Sequence, residues 1–352
     1  MFQHEAGTLA GTCAMGANLG ISGKPRLIGA VAALTSVLIW SGWIVFTRHG
    51  VTTDVPAVTL GLLRYAIPTL VMLPLLLRSG VAYRKAGWVK CAIMVCGSGA
   101  PFFLICSLGM TFAPAAHIGV MLPGVMPMFV ALFAVLLFGE RFGGARLAGY
   151  GLVLAGVLGL GGANLLEAGA GDWRGHVLLL LSAASWACFT LAFKRSGLTA
   201  WQAAALINAV SIVIMVAIDL TQDGPNLWDL PWQIVAMQGF AQGILSGLLA
   251  LAAYSYAVTV LGASKASAFV SLTPALTALI AALSLGEWPD GIAIAAILTV
   301  GAGVALASGV ASGISFKRRP LPQQTQDRFG WMAALRQPLL HRPGFRYRPP
   351  AK

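Results

Sequence analysis

Of 352 residues, 58% are hydrophobic and only 10% are charged, against roughly 45–50% and 25% in soluble domains. Such a chain cannot cover its surface with charge, which excludes an ordinary soluble globular protein and makes lipid part of its solvent. The formal net charge of +12 does not point to nucleic acid, because the basic residues gather in a tail from Lys317 and in short segments between apolar runs, as in loops on an anionic membrane surface.

Residues 1–23 lack a basic start and an apolar core and contain Glu5, so they are expected to form a disordered cytoplasmic leader rather than a cleavable signal. Ten windows then approach the roughly 20 apolar residues that a spanning helix needs: 27–46, 57–77, 88–110, 115–138, 147–165, 177–193, 201–218, 233–258, 263–285 and 292–310. The first carries Trp40 and Trp43, three residues apart. The second carries Arg64, about 10 Å inside its end at 1.5 Å per residue. A charge at that depth needs a cavity or a partner. It either grips a solute carboxylate or phosphate with its two-pronged guanidinium or satisfies carbonyls of broken helices.

The fourth window holds His117, a carrier of protons or a plain hydrogen-bond partner, and Pro123 and Pro127 on one face. Each proline removes a backbone donor, making a hinge or a static kink; Pro274 repeats the feature in the ninth window. Trp186 lies in the sixth window and Asn208 in the seventh. Gln238 and Gln242, four apart, share a face of the eighth, which also carries Tyr254 and Tyr256. Arg64, Trp40, His117, Trp186, Asn208, Gln238, Gln242 and Tyr254 are the candidate solute-pathway residues; the alternative is helix–helix bonding and lipid-facing aromatics. Small residues every four positions, Gly151-Ala155-Gly159-Ala163 and Gly301-Ala305-Gly309-Gly313, are expected to pack helices closely, within the chain or across a homodimer. Of the five cysteines, Cys91, Cys96, Cys106 and Cys188 fall in apolar runs and read as small core residues, and Cys13 lies in the leader. The tail 314–352, with Trp331, Phe345 and Tyr347, either lies on anionic lipid or is solvated and disordered.

Alternating ten spans from a cytoplasmic N-terminus puts Lys24, Arg26, Arg78, Arg84, Lys85, Lys90, Arg141, Arg146, Lys194, Arg195 and Lys265 inside, and leaves only Arg48 and Arg174 outside. Most acidic residues fall outside, among them Asp54, Glu167, Asp223 and Glu287. This bias places both termini in the cytoplasm.

The halves repeat. A shift of 147 residues carries Pro127 to Pro274, Gly139 to Gly286, Glu140 to Glu287 and Ala155-Gly156-Val157 to Ala302-Gly303-Val304; a shift of 146 carries Trp40 to Trp186. Five spans per repeat, an odd number, make the second copy enter the membrane inverted, an arrangement typical of transporters. The expected fold is an all-α integral membrane protein of ten transmembrane helices, built as two inverted five-helix repeats (24–165 and 166–313) around a central cavity.

These proline helices with their Gly-Glu ends, the paired tryptophans and the segment AAYSYAVTVLGASKASAFVSLTP resemble the EamA-type branch of the drug/metabolite transporter superfamily over about residues 27–312. The resemblance implies a secondary transporter of the bacterial inner membrane, an exporter of amino acids, metabolites or drugs. Its partners would be a small-molecule solute and lipid. The alternative is a membrane-embedded enzyme, channel or sensor. Against an enzyme, the sequence shows no paired deep carboxylates, no His/Cys cluster and no Ser/His/Asp set. Neither a metal nor a cofactor is expected, and no phosphate loop appears.

Overall fold

Within a bilayer no water satisfies backbone N–H and C=O groups, so an apolar chain is driven into helices that bond their own backbone. The computed structural model describes residues 23–53, 55–166, 172–222 and 227–309, and among these there is no strand. The expectations for the leader and the tail, and those for Cys13, Asp54, Glu167, Asp223 and Gly313, lie outside the described residues.

Helices α1 (Gly23–Thr52) and α2 (Ala57–Arg78) are continuous. After the short α3 (Gly80–Ala86), the third predicted span is divided into α4 (Trp88–Ser98) and α5 (Ala100–Phe112). The fourth is α6 (Ala115–Gly119), a π-helical turn over Val120–Gly124, and α7 (Met126–Phe138). Helices α8 (Gly144–Leu166), α9 (Asp172–Ser196) and α10 (Ala200–Asp219) follow. The eighth span is α11 (Trp232–Gln238), a π-helical stretch over Gly239–Leu249, and α12 (Ala250–Leu261). The ninth is α13 (Ala263–Val270) with α14 (Thr273–Leu285), and the last is α15 (Gly291–Ala307). Nine stretches among the described residues are long and apolar enough to cross a membrane, and α15 is a shorter apolar helix of 17 residues, about 25 Å long.

Windows read as uninterrupted spans are therefore broken within the membrane, and local chemistry accounts for the breaks. At the α4–α5 joint the Ala100 N–H donates to Ser211 Oγ at 2.9 Å, a side chain on α10. Pro123 lies inside the π-helical turn. Pro127 and Pro274 each sit in the first turn of the helix that resumes after a break, α7 and α14, where a missing N–H costs nothing. Those two helices also end alike. Gly139 and Gly286 adopt left-handed backbone at φ 64° and 70°, which glycine takes without steric cost. The next N–H, of Glu140 or Glu287, bonds back to Ala134 O or Ala281 O, both at 3.3 Å.

The helices pair in a recurrent scheme. α1 packs on α12 and α14, while α9 packs on α4, α5 and α7; α2 packs on α10, and α8 on α15. The α8–α15 contact is the most extensive. A Cβ on Gly149 would lie 2.6 Å from Gly303 O, and one on Gly303 would lie 2.6 Å from Gly149 O. The contact surface thus runs through Gly149, Val153 and Gly156, not through the ladder read from sequence. Gly151, Ala155 and Gly159 face outward, and a Cβ on Gly151 or Gly159 would meet nothing within 4 Å.

Leu70, Leu77, Leu136, Leu158, Val213, Leu283 and Leu298 project from the bundle, whereas Ser36, Ser41, Thr47, Gln238 and Gln242 are buried in it. This apolar exterior is that of a multi-pass membrane protein. Exposed Trp88, Trp173, Trp201, Trp228, Trp232 and Trp288 stand at helix ends, where indoles anchor at the membrane–water boundary. The cysteine expectation holds for Cys106 alone among the fully buried positions: Cys91 is half-buried, and Cys96 and Cys188 are exposed. Lipid tails are as apolar as a protein core, so hydropathy does not separate the two.

Candidate functional site

Arg64 lies on α2 where that helix crosses α1, α5 and the π-helical stretch. Its guanidinium carbon is 4.7 Å from the centroid of the Trp43 ring, 5.7 Å from Phe103 and 5.9 Å from Tyr65. Aromatic faces carry negative charge density and stabilise a desolvated cation by about 2 kcal/mol. Arg64 Nη1 donates to Ser246 Oγ at 3.0 Å, and among the described residues no carboxylate lies within ion-pair distance of it. Three aromatic rings and one hydroxyl hold the charge and leave it without a counter-ion from those residues, a geometry suited to a visiting anionic group.

The Trp43 ring that faces Arg64 is itself fixed by amides. Trp43 Nε1 donates to Gln242 Oε1 at 2.7 Å; Gln242 Nε2 donates to Thr47 Oγ1 at 3.0 Å and Gln238 Oε1 at 3.4 Å. Gln238 Nε2 donates to Phe46 O at 3.1 Å. Both amides are fully buried. They bond α1 to α11 and to the π-helical stretch and orient the indole.

The residues grouped from sequence separate in space. Trp43, Gln238 and Gln242 belong with Arg64. Trp40 instead packs on Tyr254, with ring centroids 5.1 Å apart, and Trp186 packs on Phe102 at 5.2 Å and Phe189 at 5.1 Å. Tyr256 is exposed on α12. Asn208 is buried on α10 and joins none of the hydrogen bonds around Arg64. His117 is buried against His176. The hydroxyls of Thr59, Ser107, Thr273 and Thr277 are buried without a protein partner among the described residues, and buried polar atoms of this kind are where water or solute finds partners.

Each end of the bundle carries an ion pair. At one end Arg48 Nε lies 3.2 Å from Glu287 Oε1, and its Nη1 donates to Met110 O at 2.5 Å and Thr111 O at 3.1 Å. Glu287 Oε2 accepts the Ala115 N–H at 2.7 Å. One guanidinium and one carboxylate thus join the ends of α1, α5, α6 and α14. At the other end Lys194 Nζ lies 3.7 Å from Glu140 Oε1, with side chains 60% and 38% exposed against 15% and 26% for Arg48 and Glu287. A cavity of about 270 Å³ opens beside it, lined by Pro127, Glu140, Arg146, Tyr150, Lys194 and Ser267 among others. Sequence reading missed Ser246, Phe103, His176 and both ion pairs. The pairs were readable in principle, since Lys194 follows Arg48 by 146 residues as Trp186 follows Trp40.

Among the described residues no cluster of His, Cys, Asp or Glu could hold a metal. A family model described as the EamA-like transporter family matches residues 27–162 and 173–309. Over 154 residues the chain is 29% identical to the threonine/homoserine exporter RhtA of two Salmonella typhimurium strains. That match takes in 44% of this chain and 50% of the exporter, about half the length of these curated relatives. A solved crystal structure of a protein shares the fold with a TM-score of 0.53 at 21% identity, over 82% of this chain and 100% of that one.

Proposed function

The chain belongs to the EamA-like transporter family, and we propose that it exports small metabolites bearing an anionic group, amino acids foremost, by alternating access across the bacterial inner membrane. The observation that carries the reading is the reciprocal relation of the two ion pairs. Arg48 of the first half meets Glu287 of the second; their repeat counterparts, Lys194 of the second half and Glu140 of the first, meet at the opposite end. Two gates related by exchange of the halves are what an inverted repeat of ten spans supplies. The helix pairing supports the same scheme: α1 on α12 and α14 becomes α9 on α5 and α7 when the halves are exchanged. Gly149 against Gly303 and Gly156 against Ala296 are likewise reciprocal under the shift of 147.

With the charge bias of the sequence, the Lys194–Glu140 end and both termini face the cytoplasm. The conformation is then closed outside and open inside, ready to receive solute. Arg64, caged by Trp43, Phe103 and Tyr65, takes the solute's carboxylate or other anionic group, and Gln238 and Gln242 act through Trp43. Amino acids come first because the curated relatives matched over half their length export threonine and homoserine.

Counterflow of amino acids, threonine and homoserine included, into liposomes holding the purified chain tests the reading. Saturable exchange of unaltered solute, weakened by Arg64→Lys, is expected. A flux that does not saturate would indicate a channel, and a chemically altered solute an enzyme.

A further inference from the structure

His117 and His176 meet inside the Arg48–Glu287 end of the bundle. Nδ1 of His117 lies 3.1 Å from Nε2 of His176, with ring centroids 5.2 Å apart. The residues are 6% and 5% exposed. They come from opposite halves of the chain. His176 is on the opening turns of α9; His117 is on α6, a single-turn helix that runs directly into the π-helical turn. The first N–H of α6, on Ala115, is the one held by Glu287. His117 is therefore two residues along α6 from the N–H that Glu287 holds.

A hydrogen bond between imidazoles needs an N–H on one ring and a bare nitrogen on the other. One added proton preserves that bond and makes it charge-assisted. A second proton would set two N–H groups against each other and part the rings. The two histidines therefore hold one proton as a unit, and imidazole is the side chain whose ordinary titration falls between pH 5 and 8. The other described charged or titratable groups near this end of the helices packed on the pair are Arg48 and His49 of α1, Glu287 and Asp290 between α14 and α15, and Arg174 on α9 itself. Cys96, Cys106 and Cys188 lie further along α4, α5 and α9, and Lys90, Glu140, Arg146, Tyr150, Lys194 and Arg195 belong to the opposite ends.

We propose that the His117–His176 pair is the proton-binding site that couples export to a proton gradient. One proton enters a bare ring nitrogen when the Arg48–Glu287 end is open to the outside. It leaves from the same pair towards the cytoplasm after that end has closed, so one proton moves in as one solute moves out. The charge it brings lies on α6, the helix whose first N–H Glu287 holds, and so bears on the stability of the closed end. This inference rests on the transporter reading above.

Two measurements on the full chain test it. In ¹⁵N-histidine NMR of the purified protein, the rings of His117 and His176 are expected to take up one proton jointly and to shift in the same pH step. Independent titration of the rings, or none, would overturn the proposal whether or not a solute has been found. In liposomes, an imposed proton gradient, acidic on the side reached by the Arg48–Glu287 end, is expected to accelerate amino-acid export. In His117→Gln and His176→Gln, whose amides keep a hydrogen bond but bind no proton, the ratio of rates with and without the gradient should fall to unity. Thermal melting of each variant checks that it is folded. Wild-type export indifferent to the gradient would defeat the coupling and leave the transporter reading intact. Failure of every solute to move would count against the transporter reading, and the NMR result would still decide whether the pair binds a proton.

Discussion

Glu287→Gln removes one charge from the Arg48–Glu287 gate while preserving the size of the side chain. In the structure Glu287 accepts from the Arg48 guanidinium at 3.2 Å and from the Ala115 N–H at 2.7 Å. Both side chains are mostly buried, so the pair falls between an exposed ion pair, worth about 0–1 kcal/mol, and hydrogen bonds to buried charge, worth about 1.5–3 kcal/mol each. The amide oxygen retains a weaker form of one contact. The closed Arg48–Glu287 end should therefore lose about 1–3 kcal/mol, moving the closed-to-open ratio about 5–150-fold. Spin labels at Thr52 and Trp288, both exposed at this end, can report it in a background without reactive cysteines. The label distance should lengthen in Glu287→Gln. It should change far less in Glu140→Gln, whose partner Lys194 is 60% exposed. Arg48→Gln combined with Glu287→Gln should open the end less than the sum of the two single changes, because the two share one contact. An unchanged distance distribution in a well-folded Glu287→Gln protein would refute the gate.

Arg64→Lys should fold in normal yield but weaken transport, since an ammonium cannot reproduce the planar fork or its stacking on Trp43; transport at wild-type affinity and rate would rule out recognition by the guanidinium. Gly149→Ala should destabilise by about 1–3 kcal/mol, through overpacking against Gly303 O; the same change at Gly151, where the added carbon meets nothing, is the control, and thermal melting that ranks the two equally would contradict the packing. Membrane-impermeant cysteine labelling of intact cells should leave residues 1–23 and 314–352 unmodified; a labelled C-terminal tail would overturn the topology.

The spans were legible because bilayer thickness imposes a length and a composition that no other constraint resembles. The interruptions were less so. The α4–α5 joint depends on Ser211, more than a hundred residues away, and the π-helical stretch at Gly239–Leu249 ends on no proline. The ladder Gly151-Ala155-Gly159 lies on the outer face of α8 and not against α15, since spacing gives a stripe but not which neighbour it meets. Arg64 was found because a lone deep charge in an apolar run is rare. Its cage was not, because Phe103 and Ser246 look like any other apolar or small residue in such runs. His176 fell one residue outside the window read as 177–193, and so was never weighed as a partner for His117.

The two ion pairs differ in chemistry although their positions correspond, and under the proposed alternating access the difference accounts for closure at the Arg48 end. Arg48 spreads its donors over a carboxylate and two carbonyls, which joins three helix ends through one side chain, and Glu287 adds the start of α6. Lys194 offers a point charge on a flexible stem and reaches Glu140 at 3.7 Å, largely in solvent. An ammonium in water gives up little when it parts from a carboxylate, whereas a guanidinium out of water gives up its whole set of bonds. A repeat with identical gates would sit equally well in either state. With arginine at one end and lysine at the other, closure at the Arg48 end is favoured until something pays to break it. In the proposed mechanism a solute anion beside Arg64 and a proton on the histidine pair are the two charges that do so.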